Sequence, residues 1–309
     1  MLPARSSIHR NRDKNHRERL AAQQMLRRIF VGNDGLRAGW SSLLFILLFL
    51  VLNGIESTVV TRFLHSRDDG SLKPAIVFVQ ESCDLLVVFL ATLFMARVEN
   101  RKVLSYGFIG ERSLQRLLSG VVCGLLALSI LVAILWRLQL LGFEGVSLRG
   151  MAAWKYGLAW GAVALLVGFF EESLLRGYLQ YTLARRIGFW WAAAILSTAF
   201  AAWHITNNGE SPLGLLVVGL GGLVFCLSLW YTKSLWWTVG FHAGWDWGQT
   251  YLYGTPDSGL LAKGRLLLSH PSGNPLWSGG RTGPEGSLLM LPLLAVVALG
   301  MWFWWQPIA

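Results

Sequence analysis

The stretch VGFFEESLLRGYLQY, residues 167–181, sets two adjacent carboxylates and an arginine inside a run that otherwise reads as a membrane-spanning helix. The rest of the chain has the same character. Of 309 residues, 54% are hydrophobic and 14% charged, against the roughly 25% charged typical of soluble domains. That composition excludes an ordinary soluble globule and points to an all-α, polytopic membrane protein. Eight apolar runs, at about 38–60, 76–97, 114–141, 151–185, 189–206, 212–232, 235–253 and 287–306, are long enough to be read as crossings of roughly 30 Å of hydrocarbon. The expectation is about eight transmembrane helices enclosing a polar cavity.

Residues 1–37 are polar and basic and contain no apolar core followed by a small-residue cleavage site, so they read as a cytoplasmic segment and not as a signal peptide. Within them RERLAAQQMLRRIF (17–30) suits an interfacial helix. Residues 38–306 form the membrane domain, with a motif-bearing core at 151–253 and a Gly-, Pro- and Ser-rich loop at 254–286. A loop of that length is more often a lid or binding element than a bare connector. The formal charge of +10 gathers in the N-terminal segment and at the flanks of apolar runs, where it orients helices. It calls for no nucleic-acid partner. The basic bias places both termini in the cytoplasm and the protein in the cell membrane. Cys83, Cys123 and Cys226 all lie in apolar stretches and read as small buried hydrophobes.

Ionisable groups inside a span are costly and turn toward a partner or a water-filled cavity. Those to be explained are Glu56, Glu81 and Asp84 in the first two runs, Glu171, Glu172 and Arg176 in the fourth, His204 in the fifth, and His242 and Asp246 in the seventh. Glu172 and Arg176, at i and i+4, sit about 40° apart on one helix face with the acid N-terminal to the base, the favourable order for an ion pair. Glu171 is rotated about 100° away from Glu172. It is left without that partner and is the better candidate for a general base. His242 and Asp246, again i and i+4, present an imidazole and a carboxyl together, which can fix the ring's tautomer. Phe200 lies one turn before His204 and should sit beneath its ring. At about 1.5 Å per residue, Glu171 and His204 both lie some 20 Å from the presumed cytoplasmic ends of their helices, so convergence in one cavity is feasible.

EESLLR (171–176), FAAWH (200–204) and HAGWD (242–246), in that order and in separate apolar segments, resemble the EExxxR, FxxxH and HxxxN/D motifs of the CPBP intramembrane proteases, the CAAX prenyl endopeptidases and their bacterial, bacteriocin-processing-like relatives. The resemblance implies a glutamate-dependent intramembrane endopeptidase without cofactor or metal, whose partners are a peptide or membrane-protein substrate and the lipid bilayer. It further implies that Glu171 and His204 activate water, that Glu172 and Arg176 support Glu171, and that His242 with Asp246 faces the developing oxyanion. Asp246 departs from the Asn of the prenyl-protease branch, as the bacterial pattern allows; because an ionised Asp would repel an oxyanion, Asp246 either is protonated or serves mainly to hold His242 as the donor. Rival readings of the same residues are a zinc protease using Glu171, His204 and His242, a non-catalytic scaffold or immunity protein, and a proton-coupled transporter.

Overall fold

The computed structural model describes residues 31–32, 35–63, 71–207 and 209–305. The interfacial helix expected at 17–30 lies outside the described residues.

A short ribbon, β1 (Val31–Gly32) with β2 (Gly35–Leu36), precedes helix α1 (Ala38–Phe63). There follow α2 (Pro74–Val98), α3 (Ser113–Arg137), strand β3 (Leu141–Val146), α4 (Gly150–Ile187), α5 (Phe189–His204), α6 (Pro212–Thr232) and α7 (Trp236–Trp247), which a π-helical turn prolongs through Gly248–Tyr253. Strand β4 (Leu267–Pro271), the single turn α8 (Pro275–Ser278) and α9 (Met290–Trp304) complete the chain.

The protein is all-α apart from these short ribbons, but the expectation of eight spans is not met in full. Five helices, α1, α2, α3, α4 and α6, are long and apolar enough to cross a membrane. The runs at 189–206 and 287–306 become helices of 16 and 15 residues, roughly 24 and 22 Å long and short of the hydrocarbon thickness. The run at 235–253 is divided between α7 and its π turn. Apolarity alone measures a run, whereas helix length depends on where the chain turns to pack.

Inter-helix bonds define two ends of the bundle. At one end Glu99 accepts from Tyr178 (2.6 Å), Tyr106 (3.2 Å) and Arg185 (3.1 Å), and Leu235 N donates to Gly107 O (2.8 Å). The connections α2–α3, α4–α5 and α6–α7 meet here, where Arg101, Arg185 and Lys233 are found. The α1 residue Phe45 stacks on Tyr178 at 4.7 Å, and Trp305 after α9 meets Trp237 at 5.1 Å. The first and last helices therefore begin and end on the same side.

The opposite end is closed by residues 254–289. Strand β4 pairs antiparallel with β3, from Leu141↔Pro271 to Val146↔Leu267. Leu72 N donates to Leu261 O and Lys263 N to Leu72 O, both at 2.8 Å, and Thr282 Oγ1 donates to Gly209 O at 3.0 Å. The Gly- and Pro-rich loop is thus an ordered cap stitched to three other connections, its backbone groups paired as a covered segment requires.

The closest helix pairing joins α3 to α7. A Cβ at Gly120 or Gly124 would run into the backbone of Trp237–Phe241, and one at Gly240 or Gly244 into that of Leu117–Val121. Each helix therefore presents a small-xxx-small face, the device by which membrane helices approach backbone to backbone. On the other side of α7, a Cβ at Gly168 of α4 would lie 2.9 Å from Val239 O. Clamped between α3 and α4, α7 holds His242 and Asp246 at a fixed rotation. Large apolar side chains such as Leu50, Ile55, Trp154 and Leu158 remain on the outer surface, as a lipid-facing bundle requires.

Candidate active site

Helix α4 supplies the first residues. Glu171 and Glu172 end its regular part, and the next seven residues, Ser173–Leu179, wind as a π-helix with a non-helical break at Gly177. Such π-bulges occur often at functional sites. Arg176, within the bulge, turns inward and is fully buried together with Glu172. Its Nη1 lies 3.2 Å from Glu172 Oε1. The guanidinium packs over Phe200 (4.6 Å) and Phe225 (5.7 Å). A Cβ at Gly222 would collide with it, so this glycine of α6 makes room for the charge.

Glu172 has a second partner that the sequence did not indicate. Its Oε1 lies 3.1 Å from His242 Nδ1, across from α4 to α7. With a carboxylate as acceptor, Nδ1 carries the proton and the ring's direction is set. His242 Nε2 then points between two carboxylates, 3.6 Å from Glu171 Oε2 and 3.5 Å from Asp246 Oδ2. The expected pairings are both present, Glu172 with Arg176 and His242 with Asp246, and a third contact joins them: Glu172 also meets His242, at Nδ1, while Asp246 stands at Nε2. The reason is tertiary: α7 packs against α4 on the face that bears Glu172.

Glu171 is 17% exposed at its side chain, against 0% for Glu172, and its Oε2 has no hydrogen-bond partner. It opens into a cavity of about 320 Å³ that also receives His204, His242 and Asp246. His204 is the last residue of α5. Its Nδ1 is 2.9 Å from Phe200 O, and the two rings meet edge to face at 4.7 Å. Donating to that carbonyl fixes Nδ1 as the protonated nitrogen and leaves Nε2 as the free one. Phe200 thus lines the cavity, supports His204 and covers Arg176.

The cavity has members that no motif marked. Glu81 of α2 lines it, as do Asp257 and Glu285 of the cap. Glu81 was legible as an unexplained intramembrane charge, but the two cap residues carried no signal in a loop otherwise rich in turn formers. Asp257 accepts from Thr250 Oγ1 at 2.8 Å and Glu285 accepts from Ser258 N. Burial first, and then their mutual repulsion, push Glu285 up to about 8, and burial likewise raises Asp257 to about 6. Among the described residues no three His, Cys, Asp or Glu side chains form a group that could hold a metal ion.

Fold and site together define a multi-pass membrane protein with a polar intramembrane cavity lined by carboxylates and imidazoles. Residues 153–248 match the Type II CAAX prenyl endopeptidase Rce1-like family, and every residue of the three motifs falls within that segment. The match supports a membrane protease of the CAAX type acting on a peptide substrate. None of the curated proteins matches the chain.

Proposed function

We propose that this protein is a glutamate-dependent intramembrane endopeptidase in which Glu171 is the general base. The observation that carries the reading is the placement of His242, held at Nδ1 by buried Glu172 while Nε2 faces Glu171 within one cavity. Hydrolysis needs a base for water and a donor for the tetrahedral oxyanion, both shielded from lipid. Glu171 takes a proton from water as the oxygen attacks the scissile carbonyl carbon. His242, protonated at both nitrogens, offers Nε2–H to the oxyanion. As the C–N bond breaks, the proton held by Glu171 passes to the leaving amine, and His204, with Nε2 free, serves the same transfer. Asp246 stands beside Nε2 and steadies the ring from the cavity side. Arg176, 3.2 Å from Glu172 Oε1, holds that carboxyl in place.

On this reading residues 38–306 are the protease domain, embedded in the cell membrane with both termini cytoplasmic, and residues 1–37 are a basic cytoplasmic segment. The direct test compares protein termini in membranes containing wild-type protein with those containing Glu171→Gln. New termini that appear only with the wild type identify substrates. Identical sets from the two membranes would favour a non-catalytic scaffold instead.

A further inference from the structure

Glu81 is the one carboxyl of the described cavity lining, outside the cap, that this chemistry leaves unused. It lies on α2, outside the three motifs and outside the segment that matches the protease family. It nonetheless lines the same cavity as Glu171 and His242, and its Oε2 is buried with no hydrogen-bond partner. A carboxylate there is costly without compensation, so a positively charged partner would stabilise its ionised form.

The cavity does not supply that partner. Its described lining carries Glu81, Glu171, Asp246, Asp257 and Glu285, but no Lys or Arg. The two imidazoles are held at Nδ1 by Glu172 and by Phe200 O, and His242 Nε2 stands between Glu171 and Asp246, so neither pairs with Glu81 Oε2. Arg176 lies outside that lining, with its Nη1 3.2 Å from Glu172 Oε1. One turn before Glu81 on α2, Val77 packs in an apolar cluster with Trp160, Val163 and Val167 of α4, which line the same cavity. A long aliphatic stem lies well along such a surface while its charged head reaches a carboxylate.

We propose that Glu81 is a specificity-determining residue that receives a lysine or arginine side chain of the substrate close to the scissile bond. The inference rests on the proteolytic reading above and names the substrate class of that site. Peptides with an acidic residue at that place are rejected, since they would add a sixth carboxyl to the cavity.

The test exposes purified full-length protein in detergent micelles to a mixed-sequence peptide library, with cleaved bonds read by mass spectrometry. Wild type should cleave sites with Lys or Arg beside the bond about tenfold more often than matched sites with a neutral residue, the ratio expected from one charge-assisted contact. In Glu81→Gln that ratio should fall to about one, in Glu81→Asp it should persist, and in Glu81→Lys it should turn toward acidic residues. A merely structural defect lowers all sites together and leaves the ratio unchanged, which would overturn the proposal. So would a wild-type protein that cleaves without basic preference, a result that needs no variant to fold. Cleavage no different between wild type and Glu171→Gln would instead refute the proteolytic reading itself, and the assignment of Glu81 with it.

Discussion

Glu172 and His242, seventy positions apart, are joined at 3.1 Å through Oε1 and Nδ1, and the same oxygen lies 3.2 Å from Arg176. One buried carboxylate thus ties the guanidinium of the π-bulge to the imidazole of α7. The three side chains should behave as a unit. Arg176→Gln alone leaves Glu172 buried against an imidazole only, and should destabilise the protein by about 3–5 kcal/mol. Glu172→Gln with Arg176→Gln should recover much of that stability but little activity, because a neutral amide holds His242 weakly. Detergent melting and peptide cleavage of both singles and the double give the coupling. Strictly additive stability losses would mean that the contacts carry no energy.

Glu171→Gln keeps the shape of the side chain and removes the base. The expected result is a drop in cleavage of about 10²–10⁴-fold with normal membrane insertion. His204→Ala should fall in the same range. A zinc-dependent site would be revealed by loss of wild-type cleavage after strong chelation, whereas the glutamate mechanism predicts no loss.

The α3–α7 contact positions His242 without touching it. Gly240→Ala places a methyl group against the Leu117 carbonyl, and overpacking of this kind costs about 1–3 kcal/mol. Melting temperature and cleavage should both fall. Gly300→Ala, on the exposed side of α9 where a Cβ meets nothing within 4 Å, is the control and should change neither.

The cap should loosen as pH rises. Asp257 and Glu285 have folded-state values raised to about 6 and about 8, above the ordinary range near 4. For an acid raised on folding, the stabilising contribution is complete below the unfolded value and is lost as pH climbs through the folded one. Protection of residues 254–286 from hydrogen exchange should therefore decline between about pH 4 and pH 8. Glu285→Gln, which can still accept from Ser258 N, should flatten that decline. An unchanged slope in the variant would show that Glu285 does not titrate there.

Reporter fusions at the two termini should label the same, cytoplasmic face. The start of α1 and the end of α9 meet one end of the bundle, through Phe45 on Tyr178 and Trp305 on Trp237, and basic residues flank that end. Labels on opposite faces would mean that one of the short helices does not cross.

What the sequence determined by itself is local and compositional. Helix periodicity is a property of one segment, so the pairing of Glu172 with Arg176 and the separate direction of Glu171 followed from 100° per residue. The membrane environment followed from composition, and the order of the three motifs carried the family resemblance. Tertiary structure decided what depends on how helices meet. That Glu172 serves His242 required knowing the rotation of α7 against α4, which the glycines at 120, 124, 168, 240 and 244 fix through backbone contact. That Glu81, Asp257 and Glu285 enter the cavity required the packing of α2 and the folding of the cap. The cap, a loop by composition, is ordered by hydrogen bonds to residues distant in sequence, such as Leu72 and Gly209. The shortness of α5 and α9 had the same origin, since a run of apolar residues measures solubility in lipid and not the place where packing makes the chain turn.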